Sequence, residues 1–120
     1  MIDSQDFFIE LVNAIPSNTE WILQSSFNRL FEAIKGIPYV NELSVFKINF
    51  QENFRKQISE LANNNLYECI NDLEIFENGK KLLEAFDGFV IVTLSKDFKI
   101  EGTALPKYLN NDILFISDVW

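Results

Sequence analysis

The sequence predicts an α+β fold in which N-terminal helices pack on one face of an antiparallel β-meander formed by the C-terminal half. Two observations lead there. The first half carries apolar residues at helical spacing, broken by Pro16 and Pro38. In the second half, the polar pairs Asn71-Asp72, Asn78-Gly79, Asp87-Gly88 and Lys96-Asp97 separate the short runs LYECI, LEIFE, KKLLEAF, FVIVTLS and FKIEG. Asn-Gly and Asp-Gly tolerate the positive φ that a two-residue hairpin turn requires. A length of 120 residues fits a single domain, 1–120, mainly helical over 1–65 and with the meander over 66–120.

Phe7, Phe8, Leu11, Val12 and Ile15 form the apolar stripe of a first helix, which Pro16 ends. Ser17-Asn18-Thr19-Glu20 has the spacing of a capping box, so a second helix is expected, with the stripe Leu23, Phe27, Leu30, Phe31 and Ile34. Gly36 supplies its C-cap. Leu43 to Ile48 is rich in β-branched and aromatic residues and reads as a strand. A third helix follows Asn49, with Phe50, Phe54, Ile58 and Leu61 on one side, and Asn63-Asn64-Asn65 closes it.

The meander then occupies about 66 to 101, and Ile113 to Ser117 forms a last strand. Leu66 to Phe76 also fits a helix, and a short helix over 80–86 is a further alternative. Two-residue turns would set Ile75 opposite Leu82, Phe86 opposite Phe89 and Ser95 opposite Phe98. One face then collects Leu73, Ile75, Leu82, Phe86, Phe89, Ile91, Phe98 and Ile100 as the core side. The other carries Glu74, Phe76, Lys81, Leu83, Ala85, Val90, Val92, Leu94, Lys99 and Glu101. That second face is either covered by a terminal segment or open to a partner. Coverage is the expectation, since large open apolar patches are uncommon on monomers.

Composition narrows the chemistry. The chain has no histidine, so a Ser-His-Asp or Cys-His triad cannot form within it, and a Cys/His zinc site is excluded. Cys69 is the only cysteine, which rules out an intrachain disulfide and suits a reducing compartment. The four glycines form no phosphate-binding motif, and no calcium-loop pattern occurs. Glu74 with Glu84, or Asp87 with Glu101, could pair as carboxylates, but acids on an acidic domain more often form a solvated face. The expectation is a non-enzyme without catalytic residues, cofactor or metal. The acidic N-terminus and the absence of a long apolar run lead to the expectation of a cytoplasmic protein that does not bind a membrane.

The charge is uneven. The net charge is −8, no base precedes Arg29, and five acids but no cation lie between Lys56 and Lys80. Such a field disfavours direct nucleic-acid binding and favours encounter with a basic protein. Tyr67, Glu68, Asp72, Glu74 and Glu77 bring an aromatic ring and four carboxylates into eleven residues, and Asp118 and Trp120 add a further acid and aromatic near the C-terminus. These seven are the candidate partner-binding residues. The tryptophan either docks on the body or anchors a partner. The register leaves the acidic run near a sheet edge.

The phrase EIFENGKKLLEAFDGF (Glu74 to Phe89) followed by LSKDF, in a small, acidic, cysteine-poor chain, resembles the immunity proteins that accompany bacterial contact-dependent growth-inhibition and other polymorphic toxins. The resemblance implies a cytoplasmic inhibitor that binds one cognate toxin domain, often a basic nuclease. Two other readings stand beside it. One is a phage-type anti-defence protein that mimics nucleic acid. The other is an adaptor that forms a homodimer through an edge strand or the half-apolar face. The oligomeric expectation is a monomer or a weak homodimer.

Overall fold

The computed structural model describes residues 4–24, 45–62, 72–86, 91–109, 113–117 and 119–120. Helix α1 (Ser4–Ala14) ends where Pro16 removes the next amide donor. Its stripe Phe7, Phe8, Leu11 and Val12, continued by Ile15, is buried as the spacing predicts. The next segment departs from expectation. Strand β1 (Thr19–Gln24) stands where a second helix was expected to begin. Ser17 and Glu20 do not close a capping box; Ser17 Oγ instead donates to the Glu52 carboxylate. Asn18 takes a φ of +65° and its amide bonds Phe50 O at 2.8 Å, which turns the chain into the sheet. Trp21 and Leu23 then point inward while Ile22 and Gln24 point away, the alternation of a half-buried strand. The rest of the expected second helix, from Phe27 to Gly36, and the expected closing triplet 63–65 lie outside the described residues.

Strand β2 (Val45–Phe50) and helix α2 (Glu52–Ala62) follow, so the predicted strand and third helix are both present. Asn49, expected as the helix cap, lies within β2, and Phe50 is its last, fully buried residue. Among the described residues, the N-terminal half therefore contributes two strands as well as two helices. Arg55 on α2 fixes α1 in place. Its guanidinium donates to Val12 O and Ile15 O, each at 2.6 Å, and to Asn13 O at 3.3 Å. These carbonyls lie at the C-terminal end of α1, where acceptors lack intrahelical partners and a cation is favoured.

The C-terminal strands are β3 (Asp72–Glu77), β4 (Lys80–Phe86), β5 (Ile91–Leu94) and β6 (Leu114–Ile116). Together with β1 and β2 they form one mixed, mostly antiparallel sheet in the order β2-β1-β3-β4-β5-β6. The β3–β4 hairpin turns at Asn78-Gly79, with φ of +52° and +81°, as the dipeptide predicts. The other expected turns differ. Asp72 is already in β3, whose second neighbour is β1 and not a strand over 66–70. The pair Phe86–Ile91 closes the β4–β5 connection two residues later than Phe86–Phe89 would. The expected turn pair Asp87-Gly88, with Phe89 and Val90, lies outside the described residues. After β5, Phe98 N turns back to Ser95 O at 3.0 Å, and FKIEG forms no strand. The place beside β5 is taken by β6, running parallel to it.

One irregularity decides the faces. Phe76 pairs with Lys81 but Ile75 pairs with Leu83, so Leu82 is an extra residue in β4, a β-bulge. Because side chains alternate, this single residue reverses the facing of the rest of β4 and of β5, while Phe98 and Ile100 beyond them are buried as expected. Leu83, Ala85, Val92 and Leu94, expected on the second face, are in the core, while Phe86 and Ile91, expected in the core, are exposed. The helices and the 3₁₀ turn Leu105–Tyr108 share one apolar cluster with the inward side chains Trp21, Leu23, Ile48, Leu73 and Ile75. Phe7 meets Tyr108 edge to face at 4.7 Å, and Trp21 stacks on Phe50 at 4.4 Å.

Candidate functional site

The sheet face turned away from α1 and α2 is built from the outward residues of all six strands. Register places Lys47 opposite Ile22, Ile22 opposite Glu74, Glu74 opposite Glu84, Glu84 opposite Thr93, and Thr93 opposite Phe115. Toward one end of the face Phe86 pairs with Ile91. Phe86, Ile91 and Phe115 are 41%, 49% and 43% exposed, which is high for such large apolar groups. With Ile116 and Val119 they make the apolar part of the exterior among the described residues.

The centre of the face is ionic. Glu74 and Glu84 oppose each other across β3 and β4, a like-charge pairing that alone would destabilise the sheet. Lys81 relieves it, with its ammonium 3.0 Å from Glu74 and 3.2 Å from Glu84. The hydrogen bond to Glu74, followed by that to Glu84, outweighs partial burial and raises the lysine above its ordinary value. The two carboxylates form an ion triad with the lysine on a sheet surface and do not face one another across a cleft.

At the opposite end, a cleft of about 440 Å³ lies between the start of β1, the end of β2 and the β3–β4 turn. Its wall includes Glu20, Phe76 and the carboxamides of Asn18, Asn49, Gln51 and Asn78. Lys47 Nζ reaches Glu20 Oε1 at 3.3 Å.

The predicted partner-binding residues are scattered by this architecture. Tyr67, Glu68 and Asp118 lie outside the described residues. Asp72 and Glu74 fall on the face turned away from α1 and α2, whereas alternation turns Glu77 to the opposite side at the strand end. β3 is the third strand of six, so Asp72, Glu74 and Glu77 do not sit at a sheet edge. Trp120 is docked on the body. Its carbonyl accepts from Lys96 N at 3.1 Å, its amide donates to Ser117 Oγ at 3.2 Å, and Lys81 Nζ lies 5.5 Å from its ring centre. Phe76 and Lys81 lie on the second face as the sequence predicts, but Glu20, Ile22, Glu84 and Phe115 were not expected there. The alternation in TEWILQ was the available signal for the first two.

No described helix is long and apolar enough to cross a membrane. Among the described residues, no group of three or more acidic or cysteine side chains is arranged to hold a metal ion. Comparison with protein-family models, curated proteins and solved structures finds no match to this chain.

Proposed function

We propose that this protein is a non-catalytic inhibitor of the immunity type, acting in the cytoplasm by binding a basic toxin domain through the sheet face turned away from α1 and α2. The observation that carries the reading is the grouping of exposed Phe86, Ile91 and Phe115 on the same face as Glu20, Glu74 and Glu84. Interfaces combine a few large apolar or aromatic anchors with a polar rim, and the anchors supply most of the affinity. The carboxylates would set association rate and partner choice, in keeping with the net charge of −8. The acidic residues Asp72 and Glu74, expected in the interface from sequence, belong to this face. Mimicry of nucleic acid fits less well, because two of the face's acids share one lysine and Glu20 is paired with Lys47.

The test is to identify any toxin domain encoded by a neighbouring gene and to co-express it with this protein. Wild type should restore growth and co-purify with the domain. Replacing Phe86 and Phe115 by aspartate should abolish both while the variant remains folded by circular dichroism. Failure of wild type to protect, or full protection by the double variant, would refute the assignment of function or of face, respectively.

A further inference from the structure

The cleft at the β1–β2–β3 corner is chemically unlike the apolar corner of the same face. Asn18, Asn49, Gln51 and Asn78 bring four carboxamides to its wall. All four residues are exposed, so their carboxamides are open to solvent and to a ligand. Phe76 contributes a half-buried ring, and Glu20 a carboxylate. Lys47 occupies only Oε1 of Glu20, and among the described residues Oε2 has no ionic partner. Asn18 and Asn78, the two non-glycine residues with positive φ among the described residues, both stand on this wall.

We infer that this cleft receives an arginine side chain of the partner. A guanidinium is planar, carries five donors and stacks on aromatic faces, whereas an ammonium is a compact point charge. Glu20 Oε2 and the amide oxygens supply the acceptors around the fork, and Phe76 supplies the stacking surface. Among the described residues, the cleft wall contains no basic residue. Lys47 stands outside it as the resident cation that an incoming guanidinium partly displaces. This inference rests on the proposal of a basic protein partner and specifies where one of its residues is anchored.

The probe is a capped Gly-Arg-Gly tripeptide, titrated into the uniformly ¹⁵N-labelled full chain and followed by amide chemical shifts. Saturable shifts centred on Glu20, Phe76, Asn78 and Gly79 are expected. The matching citrulline and lysine peptides should bind more weakly, by about tenfold for loss of the charge-assisted fork. Glu20→Gln and Phe76→Leu, both conservative in bulk, should weaken the arginine peptide, and Lys47→Ala should tighten it. No saturable shift at tens of millimolar peptide would overturn the inference. So would equal binding of citrulline, or saturation by an uncharged disaccharide in place of arginine. Loss of the arginine response with growth protection intact removes the pocket alone; an intact response without protection removes the toxin reading alone.

Discussion

Replacing Arg55 tests whether the two helices are held together mainly through the end of α1. The guanidinium makes two bonds of 2.6 Å to Val12 O and Ile15 O, and the side chain is only 19% exposed. Hydrogen bonds from a charged donor contribute about 1.5–3 kcal/mol each, and the lower end suits a partly hydrated site. Two such bonds give about 3 kcal/mol, and a cation at a helix C-terminus adds about 0.5 kcal/mol. Arg55→Ala should therefore destabilise by about 3–4 kcal/mol, or roughly 12–15 °C in Tm for a chain of this size.

Packing on Phe50 is a second contribution of the same side chain, because the Arg55 guanidinium lies 4.8 Å from that ring. Arg55→Met keeps an apolar stem there and should recover less than half of the loss if the carbonyl bonds dominate. Arg55→Lys keeps the charge without the fork and should fall between wild type and alanine. Urea unfolding followed by fluorescence of the buried Trp21 measures all three. A change in Arg55→Ala within about 0.5 kcal/mol of wild type would refute the reasoning, since surface substitutions typically fall in that range. Full recovery by methionine would assign the effect to packing on Phe50.

Three further outcomes follow from local geometry. Leu83→Ala should cost about 2–5 kcal/mol because the side chain is fully buried, while Phe86→Ser should cost under about 1 kcal/mol; the reverse order in urea unfolding would restore the bulge-free register. Gly79→Ala should cost about 1–2 kcal/mol from its φ of +81° alone, since a Cβ there meets nothing within 4 Å; an unchanged midpoint would disprove the left-handed turn. Glu10 is raised by burial but more than compensated by hydrogen bonds from Tyr108 and Lys107, which leave it below its ordinary 4.5. A carboxyl depressed on folding contributes stability above its unfolded pKa and loses it as pH falls through the folded value. Glu10→Gln should therefore narrow its stability gap to wild type between about pH 5 and pH 3, and a constant gap across that range would contradict the linkage.

The elements of the fold that were legible are those fixed by local chemistry. Phe7 to Ile15 has a helical period and a proline stop, and Asn78-Gly79 has only one good use between two strands. The capping-box reading of Ser17 to Glu20 failed because a local hydrogen-bond pattern competed with a non-local one. β1 pairs with β2 on one side and β3 on the other, and those ladders with the burial of Trp21 and Leu23 outweigh the helical alternative. The parallel contact of β6 with β5 was also non-local, and nothing in 113–117 indicates strand direction. The candidate site was hardest to read. Residues 67–77 were grouped by proximity along the chain, whereas the cleft gathers 18–20, 49–51 and 76–79 from three separate segments.

The extra residue at Leu82 links fold and function. Leu82 and Leu83 are both buried, so the doubled leucine satisfies the core on either register and carries no mark of a bulge. Yet without it Phe86 and Ile91 would point into the core, and the outward face would present Leu83, Ala85, Val92 and Leu94. Beyond Lys81 that face would be aliphatic across β4 and β5 and would need covering. With the bulge, the aliphatic residues are sealed under the helices. Phe86 and Ile91 are set at one corner, and Glu84 faces Glu74 where Lys81 can bridge them. A mixed face with an ionic centre and an aromatic corner can stay hydrated alone and still anchor a partner, which a continuous aliphatic face cannot do. The bulge is therefore the structural feature on which the proposed recognition face depends.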